Sequence, residues 1–390
     1  MRFPAVLAVV GLLAGTAVFG VPAAAAPEAQ CANPSGTYTG GVPWGQRLVD
    51  PARLWPLTRG EGQLVAVIGT GVDGQNSQFA PGQLEGGGGT EASDCDGRGT
   101  IAAGIVGAQP DPSTTFAGVA PGVHLLPIRY TQANGSSNDG GDPGALAGAI
   151  DTAVDRHAGV ILVAVPAAFD SPALSGAVAR ARAEGAVVVS AATATQQGAR
   201  TYPTATSGAL GVGSVNQAGE PVQTEAGDYV GVAAPGAELV STSAGAGGAV
   251  AHRWPVTDPG LAAAYVAGVA ALVRAYHPDL TGDQVVTRLT LTAHRPPSGA
   301  HDPRLGWGVL DAYAAVSSTL PADVAPPGSA VAPAPGPAVV PAAAPARPAS
   351  NVAAGTIALA GVAFAAAAGV TVAAVRRARR RGWRPSRFTP

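Results

Sequence analysis

Apolar residues along the middle of the chain form short runs that alternate with longer segments of helical spacing. Residues 64–68, 160–164 and 186–190 have the length and the apolar composition of buried strands. Residues 145–157 and 171–184 carry apolar side chains at helical spacing, and a glycine follows the second segment. Strands separated by such helices need crossover connections. The pattern therefore predicts an α/β fold with a parallel sheet flanked by helices.

Two further apolar segments lie near the ends of the sequence. Residues 1–25 begin with Arg2, continue through an apolar run and end in small residues, which is typical of a signal peptide. An N-terminal membrane anchor is the alternative, but it would leave the small-residue site unexplained. Residues 351–375 carry no charge and are long enough to cross a bilayer as a helix, or else to form a buried core helix.

Arginines follow the second apolar segment within residues 376–381. Because positive charge beside a span stays in the cytoplasm, we expect a single-pass protein of the cell membrane. Its basic tail, residues 376–390, would lie inside the cell and its body outside. Residues 319–350 are mostly Pro, Ala, Val and Gly, which predicts a semi-rigid spacer of up to roughly 100 Å. The globular body is expected over residues 26–318.

Composition excludes several classes of function. All 23 basic residues are arginine, so a Ser/Lys dyad or a Schiff-base lysine is impossible. The part expected outside the cell has about ten more acidic than basic residues, which does not suggest nucleic-acid binding. Cys31 and Cys95 are the two cysteines, and outside the cytoplasm they are expected to form one disulfide. Without an adjacent histidine pair they do not suggest a metal site.

One glycine motif bears on whether the protein binds a dinucleotide cofactor. Gly69, Gly71 and Gly74 follow the strand at residues 64–68 with the spacing of the dinucleotide fingerprint G-x-G-x-x-G. That fingerprint needs a helix whose first amides face a pyrophosphate. Pro81 and a run of glycines follow here instead, so we expect no cofactor.

Three segments resemble the catalytic motifs of subtilisin-like proteases. Residues 65–72, V-A-V-I-G-T-G-V, resemble V-A-V-I-D-T-G-V, and residues 94–104 are similar to a segment with D-G-H-G-T-x-V-A-G. Residues 258–274 resemble G-T-S-F-A-A-P-Y-V-A-G-V-A-A-L-V-R. The positions where that family carries aspartate, histidine and serine are Gly69, Arg98 and Gly260.

Further features resemble the mycosins, the membrane-anchored subtilisin-like proteins of actinobacterial type VII secretion. The similar segments are residues 43–44, 55–58, 230–236, 277–281 and 295–297, together with the early cysteine, the linker and the C-terminal anchor. The resemblance implies a subtilisin-like three-layer fold, a peptidase S8 domain and a C-terminal transmembrane helix. It also implies partners among the membrane components of type VII secretion.

The substituted positions lack the chemistry of a serine protease. Gly69 cannot orient an imidazole, Gly260 has no hydroxyl, and Arg98 has no acceptor nitrogen and stays protonated. The alignment places Ala194 where the family carries its oxyanion asparagine, so that donor is absent as well. All six histidines lie outside these motifs, and each is expected to be a surface or packing residue.

Two local hypotheses concern the altered site. Asp258 precedes Pro259, a pair that favours the start of a helix, here predicted over residues 261–277. Arg98 needs a carboxylate partner if it lies inside a cleft, and Asp73, Asp94 or Asp96 could supply one. The alternative is an arginine that points to solvent.

Two functions follow from the sequence. The first is a pseudoprotease without catalysis, bound to the outer face of the membrane, which binds or stabilises a type VII secretion complex. The alternative is a subtilisin-type endopeptidase with non-standard catalytic residues, or a former cleft that holds a peptide without cutting it.

Overall fold

A computed structural model describes residues 31–86, 93–132, 141–193, 199–321, 324–327, 376–377 and 380. The chain divides into two compact units, Met1–Ser329 and Ala330–Pro390. The expected signal peptide, residues 1–25, and the expected span, residues 351–375, lie outside the described residues, as do Ala194 and most of the expected linker.

Helices and strands alternate between residues 98 and 191 of the first unit, and strands then follow one another up to residue 256. The helices are α1 (Trp44–Val49), α2 (Pro51–Leu54), α3 (Arg98–Gly107), α4 (Pro143–Asp155), α5 (Pro172–Ala183), α6 (Ala262–Tyr276), α7 (Gly282–Thr292) and α8 (Ala312–Ser317). The strands are β1 (Leu64–Gly69), β2 (His124–Arg129), β3 (Val160–Val163), β4 (Val187–Ala191), β5 (Ala209–Val215), β6 (Val230–Pro235), β7 (Leu239–Thr242) and β8 (His252–Val256).

The first six strands form one parallel sheet in the order β2-β1-β3-β4-β5-β6. Strand β1 lies between β2 and β3, and Ile68 is in register with Val163. The sequence placed β1, β3 and β4 correctly to within one residue at each end, because their short apolar runs are buried on both faces. Strands β7 and β8 form a separate antiparallel pair.

Alternate residues of each strand belong to different hydrophobic cores. Val65 and Val67 of β1 pack in the core that contains α3 and α6, whereas Ala66 and Ile68 pack in the core that contains α4 and α5. This is the period-two alternation of a strand, and it places helices on both faces of the sheet. The predicted three-layer arrangement is therefore confirmed.

Helix α6 lies almost entirely inside the body. Its residues from Ala262 to Val273 are all buried. Among the described residues, the segment Pro259–Tyr276 is long and apolar enough to cross a bilayer, but 78% of it is buried inside the protein. It is therefore a core helix, in agreement with the helix predicted over residues 261–277.

A segment at the start of the described chain is fastened to the body. Cys31 and Cys95 form the predicted disulfide. Next to it, the Ala32 amide donates to the Cys95 carbonyl over 2.7 Å, and Gly36 pairs with His252 of β8. The segment therefore lies beside the loop that leads into α3.

Two helical glycines make a matched pair for testing how tightly this core is packed. A methyl group at Gly104 in α3 would lie 2.7 Å from the Ser241 hydroxyl and 2.9 Å from the Thr242 Cβ, whereas at Gly148 in α4 it would meet no atom within 4 Å. We expect Gly104→Ala to lower the free energy of unfolding by about 1–3 kcal/mol through overpacking. Gly148→Ala should raise it by up to about 1 kcal/mol, because alanine favours a helix. Denaturant unfolding of both variants checks this, and a stabilising Gly104→Ala would contradict it.

Candidate functional site

Gly69, Arg98 and Gly260 lie close together at one edge of the sheet. Gly69 ends β1, Arg98 begins α3, and Gly260 lies in a 3-10 turn, Pro259–Leu261, that leads into α6. A methyl group at Gly69 would lie 3.6 Å from the Ala164 Cβ, and one at Gly260 would lie 2.7 Å from the Ala164 carbonyl oxygen. Ala164 directly follows β3, so both glycines face the same residue. The carboxyl ends of parallel strands meet at one edge, which explains why distant sequence segments converge here.

The start of α3 is held against the end of β1 by a buried carboxylate. Asp94 accepts hydrogen bonds from the Gly97 amide over 2.9 Å and from both the amide and the hydroxyl of Thr100 over 2.7 Å. Burial raises the pKa of Asp94, and these hydrogen bonds oppose the rise. The Gly99 amide donates to the Thr70 hydroxyl over 3.0 Å, which joins the helix to the segment after Gly69.

Arg98 is paired and does not point freely to solvent. Its Nε lies 2.8 Å from Asp96 Oδ1 and 3.9 Å from Asp258 Oδ2, and its side chain is only 16% exposed. Of the three partners considered from the sequence, Asp96 is the one found. Asp94 instead accepts hydrogen bonds at the start of α3, and Asp73 accepts from the amides of Gln75 and Gly245.

The contact with Asp258 is the part of the site that the sequence did not reveal. Asp258 lies 160 positions after Arg98 in the chain, and no local pattern links the two residues. The only signal was the prediction that Asp258 caps the helix that follows, which placed its carboxylate next to position 260. The fold then brings that carboxylate toward α3.

Asp258 caps the turn before α6, as predicted. Its Oδ1 accepts from the Gly260 amide over 2.7 Å. Burial raises the pKa of Asp258, while the Arg98 guanidinium and the Gly260 amide oppose the rise. A methyl group at Gly260 would also lie 2.9 Å from Asp258 Oδ1. The space beside Gly260 is therefore filled by the Asp258 carboxylate and the Ala164 carbonyl.

Three hydroxyls in the chain segment before Gly260 form hydrogen bonds with the main chain. Ser241 donates to the Ile101 carbonyl over 2.7 Å, and Ser243 donates to the Ala244 carbonyl over 2.9 Å. Thr257 accepts from the Glu238 amide over 3.0 Å. In these hydrogen bonds no histidine or carboxylate takes a proton from the hydroxyl, which an activated nucleophile requires.

Three histidines have hydrogen-bond partners inside the body. His252 is fully buried between the Tyr38 amide, which donates to its Nδ1 over 3.0 Å, and the Gln78 side chain at 2.6 Å from its Nε2. Burial lowers the pKa of His252 to about 4. His277 and His301 donate to the carbonyls of Val316 and Val230. These contacts agree with the packing role expected from the sequence.

The glycine motif at Gly69, Gly71 and Gly74 does not introduce a helix. Residues 70–86 form turns and irregular segments, and α3 begins only at Arg98. Within the described ranges, no group of three His, Cys, Asp or Glu side chains is placed to hold a metal ion. The residues brought together at this edge form ion pairs and hydrogen bonds with one another.

Comparison with known proteins places the chain in a family. The model of the subtilase family, peptidase S8, matches residues 60–308. Mycosin-4 of Mycobacterium tuberculosis is 40% identical over 326 residues, which cover 73% of this chain and 71% of that protein. Mycosin-3 of the same organism is 37% identical over 356 residues, with 75% of each chain covered.

Solved structures give the same result. The crystal structure of MycP1 from the ESX-1 type VII secretion system matches with a TM-score of 0.65 and 30% identity, over 75% of this chain and 92% of that one. A chain in an intact ESX-5 inner membrane complex matches with a TM-score of 0.64 and 27% identity, over 89% of this chain and 94% of that one. The chain therefore belongs to the subtilase family and, within it, to the mycosins.

Proposed function

We propose that this chain is a mycosin without proteolytic activity, which binds or stabilises a type VII secretion membrane complex from the outer face of the membrane. The observation that carries the proposal is the filled space beside Gly260. There, the Asp258 carboxylate and the Ala164 carbonyl stand where a serine side chain would need room.

The equivalence of Gly69, Arg98 and Gly260 to the catalytic triad is part of this proposal. Their convergence on Ala164 and Asp258 supports it, since three sequence motifs with no local connection meet at one sheet edge. With those equivalences, the chain lacks the nucleophile, the proton acceptor and the residue that orients it. Ala194 as the former oxyanion position is a further element of the proposal.

The arrangement in the membrane is also proposed. A signal peptide at residues 1–25 would export the body, residues 26–318, and a span at residues 351–375 would anchor it through the linker at residues 319–350. The basic tail, residues 376–390, would remain in the cytoplasm. The similarity to a chain of the ESX-5 inner membrane complex supports a position at such a complex.

A second candidate function is an endopeptidase with non-standard catalytic residues. The subtilase family match favours it. The partners of Ser241, Ser243 and Thr257 speak against it, because the two serines donate to main-chain carbonyls and Thr257 accepts a main-chain amide.

Fluorophosphonate labelling distinguishes these two functions. The reagent reacts with a serine whose hydroxyl is activated by a base, so we expect the purified full chain to remain unlabelled. An active subtilisin-like protease in the same reaction provides the positive control. Labelling that persists after the chain is separated from other proteins would contradict the proposal.

A matched pair of glycine substitutions tests whether the site is filled. A methyl group at Gly69 would make ordinary contacts of 3.6 and 3.8 Å, whereas one at Gly260 would come within 3 Å of two oxygen atoms. We expect Gly260→Ala to lower the free energy of unfolding by about 1–3 kcal/mol. Gly69→Ala should change it by less than about 0.5 kcal/mol. Equal stability of the two variants in denaturant unfolding would mean that position 260 has room for a side chain.

Affinity purification from membranes tests the binding role directly. The tagged full chain should recover components of a type VII secretion complex, and a variant that lacks residues 351–390 should recover less because it is no longer anchored. Repeated absence of those components, with the tagged chain itself recovered intact, would refute the proposed role.

A further inference from the structure

A second buried carboxylate lies at the same edge of the sheet and takes no part in the site described above. Glu225 is only 3% exposed. Its main-chain amide donates to the Ala192 carbonyl over 3.2 Å, just beyond the end of β4. Ser190 of β4 is in register with Val163 of β3, so the end of β4 lies beside Ala164. Glu225 is thus held at the end of β4, which lies two strands from β1 in the sheet.

The two oxygens of this carboxylate have different partners. Oε2 accepts from the Thr201 amide over 2.9 Å and from the Tyr229 hydroxyl over 3.2 Å. Oε1 accepts from the Thr201 hydroxyl over 2.6 Å. An amide hydrogen cannot change direction, but a hydroxyl hydrogen rotates freely. Oε1 is therefore the oxygen that can take up a proton without losing its neighbour, because the Thr201 hydroxyl can reverse.

The Thr201 hydroxyl has a second acceptor within reach. Its Oγ1 lies 3.2 Å from the Ala191 carbonyl oxygen, at the end of β4. That carbonyl already accepts from the Thr204 hydroxyl over 2.8 Å, and a carbonyl oxygen has two lone pairs. When Glu225 is ionised, the Thr201 hydroxyl donates to the carboxylate. When Glu225 is protonated, Oε1–H donates to Thr201, and Thr201 donates to Ala191.

We propose that Glu225 and Thr201 form a proton-operated switch, which moves one hydrogen bond between the Glu225 carboxylate and the Ala191 carbonyl at the edge of the candidate site. Every polar atom of the switch has a partner in both states, so neither state carries the penalty of an unpaired buried group. The switch does not depend on the proposed secretion role. It uses only the described residues of the body.

The charged and titratable groups around Glu225 are compatible with titration near neutral pH. In the described part of the chain, no arginine lies within ion-pair distance of the carboxylate, and Arg200 stacks over the Tyr229 ring at 5.6 Å instead. Burial raises the pKa of Glu225 to about 7, against the hydrogen bonds from Thr201 and Tyr229 and the more distant charge of Arg200. Tyr229 stays neutral beside it, since burial and the neighbouring Glu225 carboxylate raise the pKa of Tyr229. Behind this cluster, Gly227 bonds to the loop of Asp302 and Arg304, and the Asp302 carboxylate accepts from that loop's own amides.

Infrared difference spectroscopy of the full chain in detergent tests the titration. Between about pH 5 and pH 9, we expect the C=O band of a protonated carboxyl group to disappear with a midpoint near pH 7. The band should be lost in Glu225→Gln. In Thr201→Val the midpoint should shift upward, because the ionised form loses a donor while the Thr201 amide donor remains.

Hydrogen exchange of the segment that contains β4 tests the consequence. The wild-type chain and Glu225→Gln should exchange alike at the acidic end, where both side chains are neutral, and should diverge at the alkaline end. In Thr201→Val, exchange of this segment should follow only the intrinsic, base-catalysed pH dependence of amide exchange, although Glu225 still titrates. A Glu225 midpoint below about pH 5, or a constant exchange ratio between wild type and Glu225→Gln, would overturn the proposal. If Glu225→Gln does not fold, the infrared titration and the hydrogen exchange are compared between the wild-type chain and Thr201→Val.

Discussion

The close packing of helix α6 beneath the parallel sheet is the constraint on which the rest of the body depends. Alanine, glycine and valine make up most of its buried surface, and these small side chains let the helix lie close to its neighbours. A methyl group at Gly268 would already lie 2.8 Å from Val119. Because the helix has so little freedom to move, the turn at its start is fixed against Ala164. The packing of the core therefore sets the geometry of the candidate site.

A helix that begins inside a protein needs an acceptor for its first amides, and this requirement governs the electrostatics of the site. Asp258 supplies the acceptor for Gly260 and faces Arg98 with its other oxygen. The guanidinium also contacts Asp96, so Arg98 lies between two carboxylates. Arg98, Asp258 and Gly260 are therefore linked. The Gly260 amide donates to one oxygen of Asp258, and the other oxygen of Asp258 lies near Arg98.

Two acids at this edge, Asp258 and Glu225, show how a neighbouring charge changes the effect of desolvation on a pKa. Desolvation raises the pKa of both Asp258 and Glu225. Asp258 has a cation beside it, which favours its ionised form. Among the described residues, the donors within hydrogen-bond distance of Glu225 are neutral hydroxyl and amide groups, and burial raises the pKa of Glu225 to about 7.

The sequence by itself determined the α/β class, the strands β1, β3 and β4, the disulfide and the cap at Asp258. These features depend on short apolar runs, on two cysteines and on a residue adjacent to its helix, so they are encoded locally. It also identified Gly69, Arg98 and Gly260 as residues that cannot support triad chemistry. Only the tertiary structure decided that Asp96 and Asp258 hold Arg98, that Ala164 fills the space at Gly260, and that Glu225 meets Thr201. Those contacts join residues far apart in the chain, and their distances are set by sheet register and helix packing, which no local pattern specifies.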